Sequence, residues 1–267
     1  MNGRVLIIAG SDSSGGAGIQ ADIKTVTALG AYAATAITAL TAQDTTGVHA
    51  IHDVPAAFLK QQIEAVAGDI GADAIKIGMV HTAEQMNVVG DALDGPLAGL
   101  PVVLDPVMVA KGGASLMDPR ASQTFRARLL LRASVLTPNL PEAEALTGYK
   151  IGSVEEMIHA GEMLRTYGAR AVLVKGGHLP GRTVIDVLVV EDGVERFEGP
   201  RIESRHTHGT GCTLASAIAA GLAQGLSLSA ATRRARHFVE QAIRSAPGLG
   251  KGHGPLNHAH AIPPYTA

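Results

Sequence analysis

Short apolar, β-branched runs alternate along this chain with longer stretches of helical period. The runs Val5–Ala9, Ala33–Leu40, Ala74–Met79, Val102–Asp105, Val135–Thr137, Ala171–Lys175 and Val187–Glu191 predict strands. Several are apolar on both faces, as strands buried between helix layers must be. The stretches between them predict helices over Gly16–Leu29, Pro55–Ile70, Ala83–Leu93, Pro119–Leu131, Glu142–Leu146, Glu155–Tyr167, Thr210–Gln224 and Ser229–Ser245. This β-α-β rhythm predicts an α/β fold whose mostly parallel sheet is covered on both faces. Glu191-Asp192-Gly193-Val194 reads as a hairpin turn and predicts one antiparallel edge. No repeat, charge block or linker divides the chain, so one domain over residues 1–267 is expected. Loop-like composition of any length occurs only over Pro247–Pro264.

In an open sheet of this kind, ligands bind beyond the carboxyl ends of the strands. Chemistry is therefore expected at Gly10–Gly18, Gln43-Asp44, Gly78-Met79, Asp105–Met108, Pro138–Glu142 and Lys175–His178.

Composition narrows the function classes. With 267 residues, 46% hydrophobic and 17% charged, the chain has ample material for a core and is not globally disordered. A formal net charge of −2 offers no basic face to a nucleic acid. With 3% aromatic residues and no Trp there are few platforms for stacking bases. No run reaches the length of a membrane span. The single cysteine, Cys212, excludes an internal disulfide and a CxxC zinc site and fits a reducing compartment. The apolar run near Met1 is too short for a signal-peptide core, so a cytoplasmic location is expected. The 32 glycines among 267 residues, about 12%, stand well above the average of about 7% and suit backbone that approaches a ligand closely.

Five motifs could carry chemistry, each with a plain structural alternative. Gly10-Ser-Asp-Ser-Ser-Gly-Gly-Ala-Gly18 follows a strand and opens a helix, where free N–H groups can hold a polar or anionic group; a simple strand-to-helix turn is the alternative. It is not a Walker loop, since no Gly-Lys-Ser/Thr follows. Gly16-x-Gly18-x-x-Ala21 matches a dinucleotide fingerprint only formally, because it starts too far beyond the strand. His208-Gly209-Thr210-Gly211-Cys212-Thr213 opens a strongly helical stretch, so its amides could form an anion hole at a positive helix end. The first helical turn also lowers a thiol pKa, and such a thiol could accept a proton from an alcohol near neutral pH. Packing as a small apolar residue is the alternative for Cys212.

Asp105-Pro106 and Asn139-Leu-Pro-Glu142 put two carboxylates at adjacent strand ends. They could share Mg²⁺, although Asn139 and Glu142 equally form a capping box. Lys175-Gly-Gly-His178 suits a phosphate, or is a surface lysine at a turn. The Gln43 amide can donate and accept side by side, the pattern an aminopyrimidine edge requires, or it is a solvated loop residue. The histidines at 206, 208, 253, 258 and 260 lack a metal-site frame.

Together these motifs resemble the ribokinase superfamily, and within it the hydroxymethylpyrimidine/phosphomethylpyrimidine kinases of thiamine biosynthesis. The resemblance runs nearly end to end. It rests on residues 9–22, Leu40-Thr-Ala-Gln43, Lys76-Ile-Gly-Met79, Asp105-Pro-Val-Met108, Thr137-Pro-Asn-Leu-Pro-Glu142, Lys175-Gly-Gly-His178, Thr207-His-Gly-Thr-Gly-Cys212 and Gly252-His-Gly. Most sugar kinases of the superfamily carry Asp where Cys212 stands; this branch and some pyridoxal kinases carry Cys. His206 stands where the family often has Asn.

The resemblance implies a three-layer α/β/α fold, a homodimer, and two successive Mg²⁺- and ATP-dependent phosphorylations of a small aminopyrimidine, with no nucleic-acid or membrane partner. It implies that Gln43 reads the aminopyrimidine edge in a pocket lined by Gly10, Ala17, Met79 and Val107. It makes Cys212 the base beneath an anion hole of Gly209, Thr210 and Gly211. Asp105 and Glu142 would serve the metal and Lys175 the ATP phosphates. A pyridoxal or pyridoxine kinase is the neighbouring alternative. Lys111-Gly-Gly113 is the expected mobile flap.

Overall fold

The apolar runs assemble into one nine-stranded sheet, seen in a computed structural model that describes residues 1–108 and 121–263. Its strands are β1 (Arg4–Asp12), β2 (Tyr32–Asp44), β3 (Gly47–Asp53), β4 (Ala74–Ile77), β5 (Val102–Leu104), β6 (Val135–Leu136), β7 (Val172–Val174), β8 (Thr183–Val190) and β9 (Gly193–Pro200), in the order β3-β2-β1-β4-β5-β6-β7-β8-β9. Pairing from β2 through β7 is parallel. The β2–β3, β7–β8 and β8–β9 pairings are antiparallel. Both edges of the sheet are thus antiparallel, where the sequence indicates one. The unforeseen strand is β3: Gly-Val-His-Ala-Ile-His-Asp has few apolar positions and none is buried, so it carries no core signal. The hairpin at Glu191-Asp192 forms as expected, with Val190 opposite Gly193.

Eight α-helices cover the sheet among the described residues: α1 (Gly18–Ala28), α2 (Ala56–Gly68), α3 (Ala83–Asp94), α4 (Ser122–Thr124), α5 (Leu140–Thr147), α6 (Val154–Thr166), α7 (Thr210–Ala223) and α8 (Leu228–Arg244). Alternate residues of β1 point to opposite faces and divide the core. Leu6 and Ile8 join one cluster with Leu59 and Ile63 of α2, Met86 of α3 and Leu164 of α6. Val5, Ile7 and Ala9 join a second with α1, α7 and α8. The result is the three-layer α/β/α arrangement.

The helix expected over Pro119–Leu131 is the main local correction, and its first two residues lie outside the described residues. From Ser122 the chain makes one α-turn, widens into a π-turn over Phe125–Leu129 and tightens to a 3₁₀ turn over Leu130–Arg132. The broken period keeps Phe125, Leu129 and Leu130 buried. Meanwhile Arg126 Nη2 donates to Leu146 O at 2.6 Å and Arg128 Nη2 donates to Asn87 O at 3.3 Å. The expected Lys111-Gly-Gly113 flap lies outside the described residues.

Side-chain caps start four of the helices. Thr82, Asn139, Ser153 and Ser227 cap α3, α5, α6 and α8 with their side chains. The helices α1 and α7, which both open onto the cleft described next, have no side-chain cap. The carboxyl-terminal tail is tied beside the same cleft: Gly252 N donates to Thr45 Oγ1 at 3.1 Å, His253 N to Thr45 O at 2.8 Å and His208 N to Gly254 O at 3.2 Å.

Candidate active site

The parallel strands bring their carboxyl ends to one side of the sheet, and a cleft of about 1040 Å³ opens there. Every residue assigned a role above lines it: Cys212, Gly209, Thr210, Gly211, Gln43, Gly10, Ala17, Met79, Val107, Lys175, Asp105 and Glu142. Chain positions more than 200 residues apart meet here because the carboxyl ends of β1, β2, β4, β5, β6 and β7 and the first turn of α7 open on the same cleft.

At the centre stands the first turn of α7. Gly209 takes the N-cap position in the left-handed region, with φ 82°, which favours glycine. A side chain there would also strike the carbonyl of Gly16, so two glycine-rich loops interlock. The first-turn N–H groups have no intrahelical acceptor and sit at the positive end of the helix dipole. A Cβ on Gly211 would lie 3.2 Å from Lys175 Nζ and 3.5 Å from Asp105 Oδ2. The bare backbone of Gly211 therefore brings the amide turn down onto that charged pair.

Lys175 and two carboxylates form the next group. Lys175 Nζ is 2.9 Å from Asp105 Oδ1 and 3.9 Å from Glu142 Oε2. Thr137 Oγ1 donates to Asp105 Oδ1 at 3.1 Å. Burial pushes the Glu142 carboxyl up to about 7; Lys175 opposes the rise and Asp105 adds to it. Burial alone would depress the Lys175 ammonium, but Asp105 and Glu142 hold it above its usual range. Of the two alternatives for Asn139 and Glu142, the capping box is seen. Asn139 Oδ1 accepts from Glu142 N at 2.9 Å, and Asn139 N donates to Glu142 Oε2 at 2.8 Å. The capping box fixes the carboxylate at the mouth of the site.

At the other end Gln43 is held on both its backbone and its side chain. Its N–H donates to Ser13 Oγ at 2.8 Å, and the Ser13 hydroxyl donates to Gln43 O at 2.7 Å. Thr41 Oγ1 donates to Gln43 Oε1 at 3.2 Å, and Gln43 Nε2 lies 3.3 Å from His208 Nε2. Gln43 is thus a half-exposed residue at the end of β2, with its side chain on the cleft wall. Met79, Ala39, Ile51 and Val107 form a small apolar cluster here. A Cβ on Gly10 would lie 3.0 Å from Met79 Sδ, so glycine leaves the floor open.

For Cys212 the structure reverses one expectation. The helix end alone would lower the thiol pKa, whereas burial pushes it up to about 11, with Lys76 opposing and Asp22 and Asp105 adding to the rise. In the free protein Cys212 rests as a thiol, since burial outweighs the helix dipole.

Sequence reasoning missed two pairings. Asp12 is buried and accepts from Ser14 N, Gly16 N, Ala17 N and His208 Nε2, the last at 2.8 Å. Burial would raise its carboxyl; the His208 bond and then the Ser14 and Ala17 donors hold it below its usual range. This pair ties the first glycine loop to the α7 turn. The second pairing, Lys76 with Asp22, is fully buried. Its one sequence signal is a lysine inside the apolar run Ala-Ile-Lys-Ile, which burial forces to find a partner.

A glycine-rich helix start set against a lysine and two carboxylates, at the carboxyl ends of a parallel sheet covered on both faces, is what a small-molecule kinase of ribokinase-like fold requires. The comparisons with known proteins agree. The family model described as phosphomethylpyrimidine kinase matches residues 12–257. The chain is 52% identical over 256 residues to the thiamine biosynthesis bifunctional protein ThiED of Geobacter sulfurreducens, covering 96% of this chain and 52% of that longer protein. It is 45% identical to the hydroxymethylpyrimidine/phosphomethylpyrimidine kinase of Bacillus subtilis, covering 96% of this chain and 94% of the relative. Among solved structures, the ADP complex of Bacillus subtilis pyridoxal kinase superposes with a TM-score of 0.89 at 34% identity, over 97% of this chain and 98% of that one. The phosphomethylpyrimidine kinase of Clostridium difficile superposes with a TM-score of 0.80 at 42% identity, over 90% of this chain and 99% of that one. The chain belongs to the phosphomethylpyrimidine kinase family.

Proposed function

We propose that this kinase transfers a phosphoryl group from ATP to the hydroxymethyl group of 4-amino-5-hydroxymethyl-2-methylpyrimidine, and a second to the resulting monophosphate. The observation that carries this is Gly211, whose bare backbone sets the α7 amide turn against Lys175 and Asp105 while Cys212 follows it directly. Phosphoryl transfer asks chiefly for positioning and charge neutralisation. Gln43 holds the amino group and ring nitrogen, which fixes the ring and aims its hydroxymethyl group at the α7 turn. The amides of Gly209, Thr210 and Gly211 take the charge that develops on the phosphoryl oxygens, and Lys175 neutralises ATP phosphates. Cys212 takes the hydroxyl proton. Because it rests as a thiol, the thiolate fraction limits the rate at neutral pH.

Asp105 and Glu142 suit Mg²⁺: both are buried oxygen donors already sharing a cation, Lys175. Mg²⁺ takes oxygen ligands and keeps several waters, so two carboxylates are a sufficient protein share. When bound there, Mg²⁺ would supply neutralising charge to the phosphates. The far half of the cleft, walled by Phe197, Pro200, Ile202, Val239 and Ile243, suits a flat purine. A homodimer belongs to the same reading, with exposed Leu40 on β2 and Phe58 on α2 giving it apolar contact surface. So does a cytoplasmic location, where a functional thiol stays reduced.

The likeness to pyridoxal kinases favours a second reading, in which pyridoxal is the acceptor. Side-by-side steady-state kinetics separate the two. The expected result is a higher kcat/KM for the aminopyrimidine than for pyridoxal. ATP-dependent product from pyridoxal and from neither pyrimidine would replace the first reading with the second.

A further inference from the structure

Lys76 is sealed completely inside the protein, and the mechanism above leaves it without a task. It lies in β4, and its Nζ donates to Asp22 Oδ2 at 2.7 Å. Asp22, equally sealed on α1, accepts from Ser216 Oγ at 2.7 Å on its other oxygen. Ser216 follows Cys212 by four residues on α7, so the two side chains share one face of that helix. The network thus ties a lysine from the central sheet to α7 one turn beyond the thiol and on the same helix face. Lys76 and Cys212 both line the cleft.

Stability alone gives no reason for such a pair, because a buried ion pair is often no better than apolar residues of the same volume. The charged groups around Cys212 are Lys76 from β4, Asp22 from α1, Asp105 after β5 and Lys175 after β7, and the Gly18 backbone N–H also favours the thiolate. Burial alone would depress the Lys76 ammonium; Asp22, Cys212 and Asp105 hold it above its usual range. Lys76 is therefore a permanent cation in a site where Asp22 and Asp105 oppose a second negative charge.

We propose that Lys76 is a positioning residue for phosphoryl transfer: its ammonium, fixed by Asp22, stabilises the Cys212 thiolate that accepts the substrate's proton. In that step the hydroxyl proton passes to Sγ as the alcohol oxygen bonds to the γ-phosphorus. The bond from phosphorus to the β–γ bridging oxygen breaks, and ADP leaves with the electron pair.

This rests on Cys212 as proton acceptor, and the test is built to fail separately from the choice of substrate. Cys212 is the sole cysteine, so iodoacetamide reports on its thiolate alone. Alkylation of the free enzyme is followed between about pH 7.5 and 9.5 in wild type, in Lys76→Met, and in Asp22→Asn/Lys76→Met, which removes both buried charges and leaves neither unpaired. The expected result is alkylation slowed about tenfold or more at each pH in Lys76→Met, one unit of thiol pKa being a tenfold change in thiolate. A smaller slowing in the same direction is expected in the folded double variant. Both variants should lose kcat while the pyrimidine KM stays within about threefold, the pattern of an interaction that acts in the transition state. A folded double variant alkylated at the wild-type rate, or one with wild-type kcat, would overturn the proposal, because a purely structural pair would leave the thiolate unchanged.

Discussion

Cys212→Ala is expected to lower kcat by about 10²–10⁴-fold, the range for removing a general base, while the pyrimidine KM changes only a few-fold. The side chain lines the cleft directly after the amide turn, and in the proposed binding mode it is Gln43 that holds the ring. Removing the sulfur should therefore spare ground-state binding. A pH signature comes with it. Burial holds the thiol at about 11, so the thiolate is the minor species at neutral pH and gains about tenfold per pH unit below that value. Wild-type kcat should climb between pH 7 and 9, and the Ala variant should lose the climb. Equal loss of binding and turnover, or a flat wild-type profile, would recast Cys212 as a packing residue.

Gln43→Leu is expected to lower kcat/KM for the aminopyrimidine by about 10²–10⁴-fold, since two polar groups of the ring lose partners at about 1–3 kcal/mol each. Pyridoxal has no amino group and ring nitrogen side by side, so its kcat/KM should fall much less. The informative quantity is the ratio of the two, which should collapse. Leucine has nearly the volume of glutamine, and the backbone bonds of residue 43 to Ser13 remain, so the loss is not one of folding. A ratio that survives the substitution would place the recognition of the amino group elsewhere.

Local pattern carried much of this structure. Val5–Ala9 reads as a buried strand because both faces are apolar, and β1 indeed lies mid-sheet with helices on either side. The site could be anticipated because parallel strand order gathers strand ends, and Gln43, Asp105, Lys175 and the residues before Cys212 all carry polar or glycine signals there. What stayed hidden depends on tertiary neighbours. The β3 strand presents no buried position; it pairs with β2, and its further contacts, Ile51 in the Met79 cluster and Asp53 with His81, are tertiary. His208 meets Asp12 across 196 residues, and Ser216 meets Asp22 across 194, spacings that no periodicity encodes. The thiol pKa failed for the same reason. The helix-end rule is local and visible in Gly-Thr-Gly-Cys, but burial and the carboxylates of Asp22 and Asp105 come from other elements. Glu142 shows that local and tertiary roles can coincide, since a capping box and a charged site use the same carboxylate.

The most direct test of the proposed function is the product formed from 4-amino-5-hydroxymethyl-2-methylpyrimidine with excess Mg²⁺-ATP, followed by mass spectrometry alongside ADP release. Two phosphoryl groups on one pyrimidine, with one ADP released for each and the monophosphate as a transient, is the predicted result. No phosphorylated pyrimidine, or a reaction that halts at the monophosphate, would contradict it.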